Sequence, residues 1–81
     1  MRPVTIYALS TCPWCTKTKR FFTERDIPYE CIDYDLADRE TQEAILRDMD
    51  EMGATNFPCV RIGDVVIEGY DPERFAAALK D

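Results

Sequence analysis

Histidine is absent from these 81 residues, and basic side chains are scarce: 10 lysines and arginines stand against 16 aspartates and glutamates, a formal net charge of −6. Without histidine the chain lacks the commonest catalytic base and the commonest metal ligand. The acidic balance disfavours nonspecific nucleic-acid binding, which needs a basic face to displace counterions from phosphates. No apolar run approaches the ~20 residues of a membrane span. "MRPVTIYALS" is too short and too broken for a signal peptide, so a soluble, cytoplasmic protein is expected. Repeats, low-complexity stretches and linkers are also missing, and we read residues 1–81 as one domain.

What is present is cysteine, four of them, two in "STCPWCTKTKR". "PVTIYAL" is β-branched and aromatic with little charge, the pattern of a central strand buried on both sides. A helix then starts at Pro13, a proline suited to a first helical turn, and carries Phe21, Phe22 and Arg25 at helical spacing until "DIP". "YECIDYDL" alternates as a second strand. Asp38 caps a second helix with Ile45, Met49 and Met52 on one stripe and Gly53 as its stop. "CVRI" and "VVIE" are strands joined at Gly63-Asp64, and Asp71-Pro72 opens a last helix bearing Phe75, Ala78 and Leu79. The order βαβαββα predicts an α/β fold with a four-stranded mixed sheet flanked by three helices on both faces.

Cys12 and Cys15 lie at i and i+3 at the tip of the first helix. A disulfide over so short a loop contributes little stability, which argues against a staple. Unpaired N–H groups and the positive end of the helix dipole favour thiolate at Cys12, with Lys17, Lys19 and Arg20 adding positive potential. Cys15, one turn inside, is expected to be more shielded. The pattern assigns Cys12 as nucleophile, Cys15 as resolving thiol, and Trp14 as a wall of the substrate site. A zinc site needs four ligands, and Cys31 and Cys59 stand alone on other strands with no histidine to help. Cys31 reads as a core residue. Cys59, next to Pro58, lies near the site, with packing leading over a redox role. Asp33 and Asp35 share a strand face with no partner to suggest chemistry.

"IYALSTCPWCTKTKRFF", "NFPCV" and "EGYDPERF", in this order, resemble the glutaredoxins over essentially the whole chain. The resemblance implies a thioredoxin-like fold and thiol-disulfide oxidoreductase activity on protein disulfides or mixed disulfides. It places a cis-proline at Pro58, facing the thiols and presenting Phe57 to an extended substrate. Pro13, Trp14, Phe57, Pro58, Gly69, Tyr70 and Asp71 become substrate-binding positions. No cofactor is implied as built in; glutathione is the co-substrate of many relatives, and a monomer is implied. Gly69 and Asp71 match the glutathione-binding pattern, whereas Glu68 and Tyr70 stand where a glycine and a small residue occur. The lysine usual before the first cysteine is missing. "GYDP" is similar to the NrdH-type redoxins, which draw electrons from thioredoxin reductase and pass them to ribonucleotide reductase. A third alternative, from another class, is an iron-sulfur carrier that bridges a cluster between protomers, disfavoured by Pro13 and Cys15.

Overall fold

A computed structural model describes residues 3–80. Eight elements follow one another: β1 Val4–Ala8, α1 Pro13–Glu24, β2 Glu30–Asp33, a 3₁₀ turn Tyr34–Leu36, α2 Arg39–Met52, β3 Cys59–Ile62, β4 Val65–Glu68 and α3 Pro72–Leu79. The sheet order is β2-β1-β3-β4, with β1 parallel to β2 and antiparallel to β3, and β3 antiparallel to β4.

Alternation along the strands divides the core in two. Val4, Ile6, Ala8, Val60, Ile62 and Ile67 turn to one face, where they meet Phe21 and Phe22 of α1 and Phe75 of α3. The three phenylalanines pack with ring centroids 5.0 to 5.4 Å apart. Tyr7, Ile32, Cys59 and Val66 turn to the other face, against Ile45 and Met49 of α2. Helices therefore cover both faces, and β1 is central, as its composition predicts. Its second face is less deeply covered than expected: Thr5 and Tyr7 are only half-buried. Tyr7 explains part of this, because its side chain reaches out to α2, where its hydroxyl donates to Asp48 Oδ2 at 2.6 Å.

The caps fall where the sequence puts them. Asp38 Oδ1 accepts from Thr41 N, and Asp71 Oδ1 accepts from Arg74 N. In the β3–β4 turn Gly63 has φ 57° while Asp64 stays outside the positive-φ region, the sign pattern of a type II′ turn. "YECIDYDL" departs from expectation. Its strand ends at Asp33, and Tyr34–Leu36 wind into a 3₁₀ turn. The cause is Asp35, whose carboxylate takes the N–H and the hydroxyl of Ser10 and pulls the chain off the sheet line. Among the described residues, no helix is long and apolar enough to cross a membrane.

Candidate functional site

The loop from β1 into α1 delivers Cys12 as the N-cap residue of α1, with extended backbone and no side-chain cap. Pro13 takes the first helical position, where its missing N–H leaves no donor unpaired. The loop is held at both ends: Cys12 N donates to Leu9 O at 3.2 Å, and Ser10 N donates to Asp35 Oδ1 at 2.8 Å. Asp33, the other aspartate to which the sequence offered no partner, binds Lys19 Nζ at 2.9 Å. Both were missed because their partners lie 25 and 14 residues away, beyond any local pattern.

The two thiols differ sharply. Cys12 is half-buried, whereas Cys15 is 0% exposed and accepts from Leu9 N at 3.4 Å. Burial pushes the Cys12 thiol up, but donation from the Cys15 N–H, the Cys15 thiol and the Trp14 N–H outweighs it and leaves Cys12 below the ordinary thiol value. Burial pushes Cys15 up to about 11, against the opposing Leu9 N–H, and the neighbouring Cys12 sulfur adds to the rise. The lowering at Cys12 thus comes from the helix tip itself. Lys17, Lys19 and Arg20, expected to add to it, are not among the groups that lower Cys12; Lys19 is paired with Asp33, and Lys17 Nζ sits 4.6 Å from the centroid of the Trp14 ring.

Beside the helix tip lies a groove of about 280 Å³ lined by Trp14, Phe57, Pro58, Gly69 and Tyr70. The fold gathers these five positions from three separate stretches of chain. The Phe57-Pro58 bond is cis. Trp14, 54% exposed, stacks on Tyr70 with centroids 6.1 Å apart and planes at 26°. Phe57 rests against Tyr34 at 5.5 Å. Gly69 N donates to Pro58 O at 2.8 Å, tying the end of β4 to the proline. Gly69 has φ 83°, and a Cβ there would meet nothing within 4 Å, so backbone conformation and not space requires the glycine. Asp71 is the N-cap of α3 and lies outside the residues lining the groove.

Glu68 has a role its sequence position did not reveal. Its Oε1 accepts from Thr55 N at 2.8 Å, Asn56 N at 3.0 Å and Asn56 Nδ2 at 3.2 Å. The two N–H donors come first among the causes that hold this carboxyl below its usual range. The carboxylate that stands in place of a glycine thus clamps the segment before Phe57-Pro58. The β3–β4 register sets Glu68 opposite Cys59, next to that segment, and no local sequence pattern signals it.

Cys31 packs half-buried against the α1 side of the core, and burial raises its thiol. Cys59 follows the groove residue Pro58 but packs in a different core cluster from Cys15. It is 1% exposed on the α2 face, and burial followed by the Glu68 charge pushes it up to about 11. Strand alternation turns its side chain to the α2 face, whereas Cys15 belongs to the cluster on the other face. Among the described residues no group of three or more Cys, Asp or Glu is placed to hold a metal ion.

A four-stranded mixed sheet with helices on both faces, a dithiol at the tip of the first helix and a cis-proline in the adjoining groove define a thioredoxin-like redox protein. The sequence profile of the glutaredoxins matches residues 4–67, and the chain belongs to that family. It is similar to a glutaredoxin-like 8.6 kDa protein in the rubredoxin operon of Clostridium pasteurianum, 28% identical over 68 residues, covering 84% of this chain and 85% of that one. The glutaredoxin from Archaeoglobus fulgidus superposes with a TM-score of 0.89 at 28% identity, covering 100% of this chain and 89% of the other. The glutaredoxin-like NrdH-redoxin from Escherichia coli, described as having a thioredoxin-like activity profile, matches at 0.73 and 29% identity, with 93% and 92% covered.

Proposed function

We propose that this protein is a thiol-disulfide oxidoreductase that reduces protein disulfides or mixed disulfides through Cys12 and Cys15. The observation that carries the reading is the asymmetry of the two sulfurs: one partly open and lowered at a helix N-terminus, the other sealed and raised to about 11. The Cys12 thiolate attacks one substrate sulfur, the S–S bond breaks, and the departing thiolate takes a proton. Cys15 then gives up its proton and attacks Cys12 Sγ, which releases the second substrate thiol and leaves a Cys12–Cys15 disulfide. Two electrons and two protons pass to the substrate. Burial suits Cys15 to this order, since a thiol held protonated does not compete for the first attack.

The groove supplies the substrate platform. Trp14, Tyr70 and Phe57 offer apolar walls, and the backbone beside Pro58 offers pairing to an extended peptide. Glutathione is one electron source for regeneration. A second reading, an NrdH-type donor to ribonucleotide reductase recharged by thioredoxin reductase, draws support from Glu68, whose carboxylate stays fixed beside the groove and repels an anionic tripeptide. The similarity to the NrdH-redoxin also favours it.

Oxidised protein supplied in parallel with glutathione plus its reductase, and with thioredoxin reductase plus NADPH, separates the two readings by NADPH consumption. Turnover with glutathione alone assigns it as reductant; turnover with thioredoxin reductase alone assigns the second reading. In either assay Cys12→Ser is expected to abolish disulfide reduction, and retained activity would overturn the proposal.

A further inference from the structure

A second concavity, of about 330 Å³, opens beside the groove. Its lining includes Lys17, Arg20 and Arg25, with Glu24 as the single carboxylate, in a chain whose formal net charge is −6. Lys17 Nζ lies over the Trp14 ring, and the Arg25 guanidinium lies over Phe21 at 3.8 Å while its Nη1 donates to Phe21 O at 3.1 Å. Aromatic faces hold these cations in place without neutralising them. Among the described residues none of the three takes part in an ion pair, in contrast with Lys19 on the same helix, which Asp33 holds. Tyr70 is common to the cleft and the groove, so a polypeptide lying in the groove runs directly into the cleft.

We propose that this cleft docks an acidic stretch of the substrate polypeptide, flanking the disulfide that the groove presents to Cys12. The proposal rests on the oxidoreductase reading and adds a specificity element to it. Two guanidinium groups suit carboxylates, which they bind through paired N–H donors. The negative remainder of the surface repels long polyanions, so a short acidic segment continuous with a groove-bound chain is the occupant that fits.

The test uses protein reduced with dithiothreitol and freed of it, mixed in single turnover with two synthetic peptides. Both contain the same intramolecular disulfide, flanked by three aspartates in one and three asparagines in the other. The aspartate peptide is expected to react about fivefold faster at low ionic strength, and the preference to fall toward unity in 0.5 M salt, where the Debye length shrinks to about 4 Å. Arg20→Gln with Arg25→Gln, which leaves Lys17 on the Trp14 ring, is expected to remove the preference and leave the asparagine peptide's rate unchanged. Equal rates for the two peptides, or a preference that the double variant retains, would overturn the proposal. Failure to reduce either peptide would sink the oxidoreductase reading instead. The cleft is then decided by titrating the aspartate peptide, its cysteines replaced by serine, into the protein and following Trp14 fluorescence. Binding lost in the double variant supports the cleft; no binding, or equal displacement by millimolar inorganic phosphate, rejects it.

Discussion

At the scale of single residues, the site is set by which hydrogen bonds reach which atom. Cys12 and Cys15 are three residues apart on one helix, yet donors at the tip lower the first while burial raises the second to about 11. Iodoacetamide is therefore expected to label Cys12 at neutral pH, with a rate profile whose midpoint lies below the ordinary thiol value. Cys15 and Cys59 should label only after denaturation, and half-buried Cys31, whose thiol is raised, far more slowly than Cys12, as read by peptide mass spectrometry. Glu68 offers a second test at this scale. Removing its carboxylate frees the Thr55 and Asn56 N–H groups that precede Phe57-Pro58. Glu68→Ala is expected to speed exchange of those two amides and to raise KM for a peptide disulfide by about fivefold while kcat and Cys12 alkylation hold. Glu68→Gln, which keeps an acceptor oxygen, should recover most of the loss. Unchanged amide exchange in the alanine variant would show that the clamp does not govern the loop.

At the scale of elements, each helix is placed by a buried stripe and trimmed by its cap. Phe22 of α1 is 0% exposed and touches Phe21, Tyr29 and Phe75. Phe22→Ala is expected to cost about 3–5 kcal/mol, read from urea unfolding, because the cavity it leaves is walled by rigid rings. α3 depends on a lesser device. Asp71 caps it through Arg74 N, and Asp71→Ala is expected to cost about 1 kcal/mol, lowering Tm by about 4–8 °C in a domain of this size. Asp71→Asn keeps the acceptor and should cost little. If Asp71 also holds a glutathionyl amine, the asparagine variant will lose glutathione-dependent turnover while keeping its Tm, which separates the two roles.

At the scale of the whole molecule, the shifted groups bound a pH window for stability. Asp35 is lowered by donation from the Ser10 hydroxyl and N–H, Asp38 by Thr41, and Glu68 by Thr55 and Asn56. Folded values below the unfolded ones contribute stability above the ordinary carboxylate range of about pH 4, lost as pH falls through the lower folded values. Cys15 and Cys59 are raised to about 11 and Tyr7 to about 12, so their contribution is full below the ordinary thiol value and is lost as pH rises through the folded values. In Cys12→Ser, which removes the lowered thiol that would titrate between these limits, the urea midpoint of the reduced protein is thus expected to stay level from about pH 5 to 8 and to decline on both sides. The Ser10, Thr41 and Thr55 amide resonances should titrate with the acid limb. A decline that begins near neutrality would contradict these assignments.

Local chemistry by itself determined the element order, the caps at Asp38 and Asp71, the stop at Gly53 and the helix-tip dithiol. Each of these is written in residues a few positions apart, where periodicity and backbone preference act directly. Tertiary structure alone decided the rest. Glu68 holds a loop 12 residues upstream, Asp35 reaches back 25 residues to bend the chain out of β2, and strand alternation turns Cys59 to the face opposite the Cys15 cluster. The groove of Trp14, Pro58 and Tyr70, and the cationic cleft beside it, exist only once α1, β3 and the start of α3 are brought together. A hydrogen bond or a shared wall between distant segments depends on sheet register and helix placement, and those follow from burying two apolar faces at once rather than from any short run of sequence.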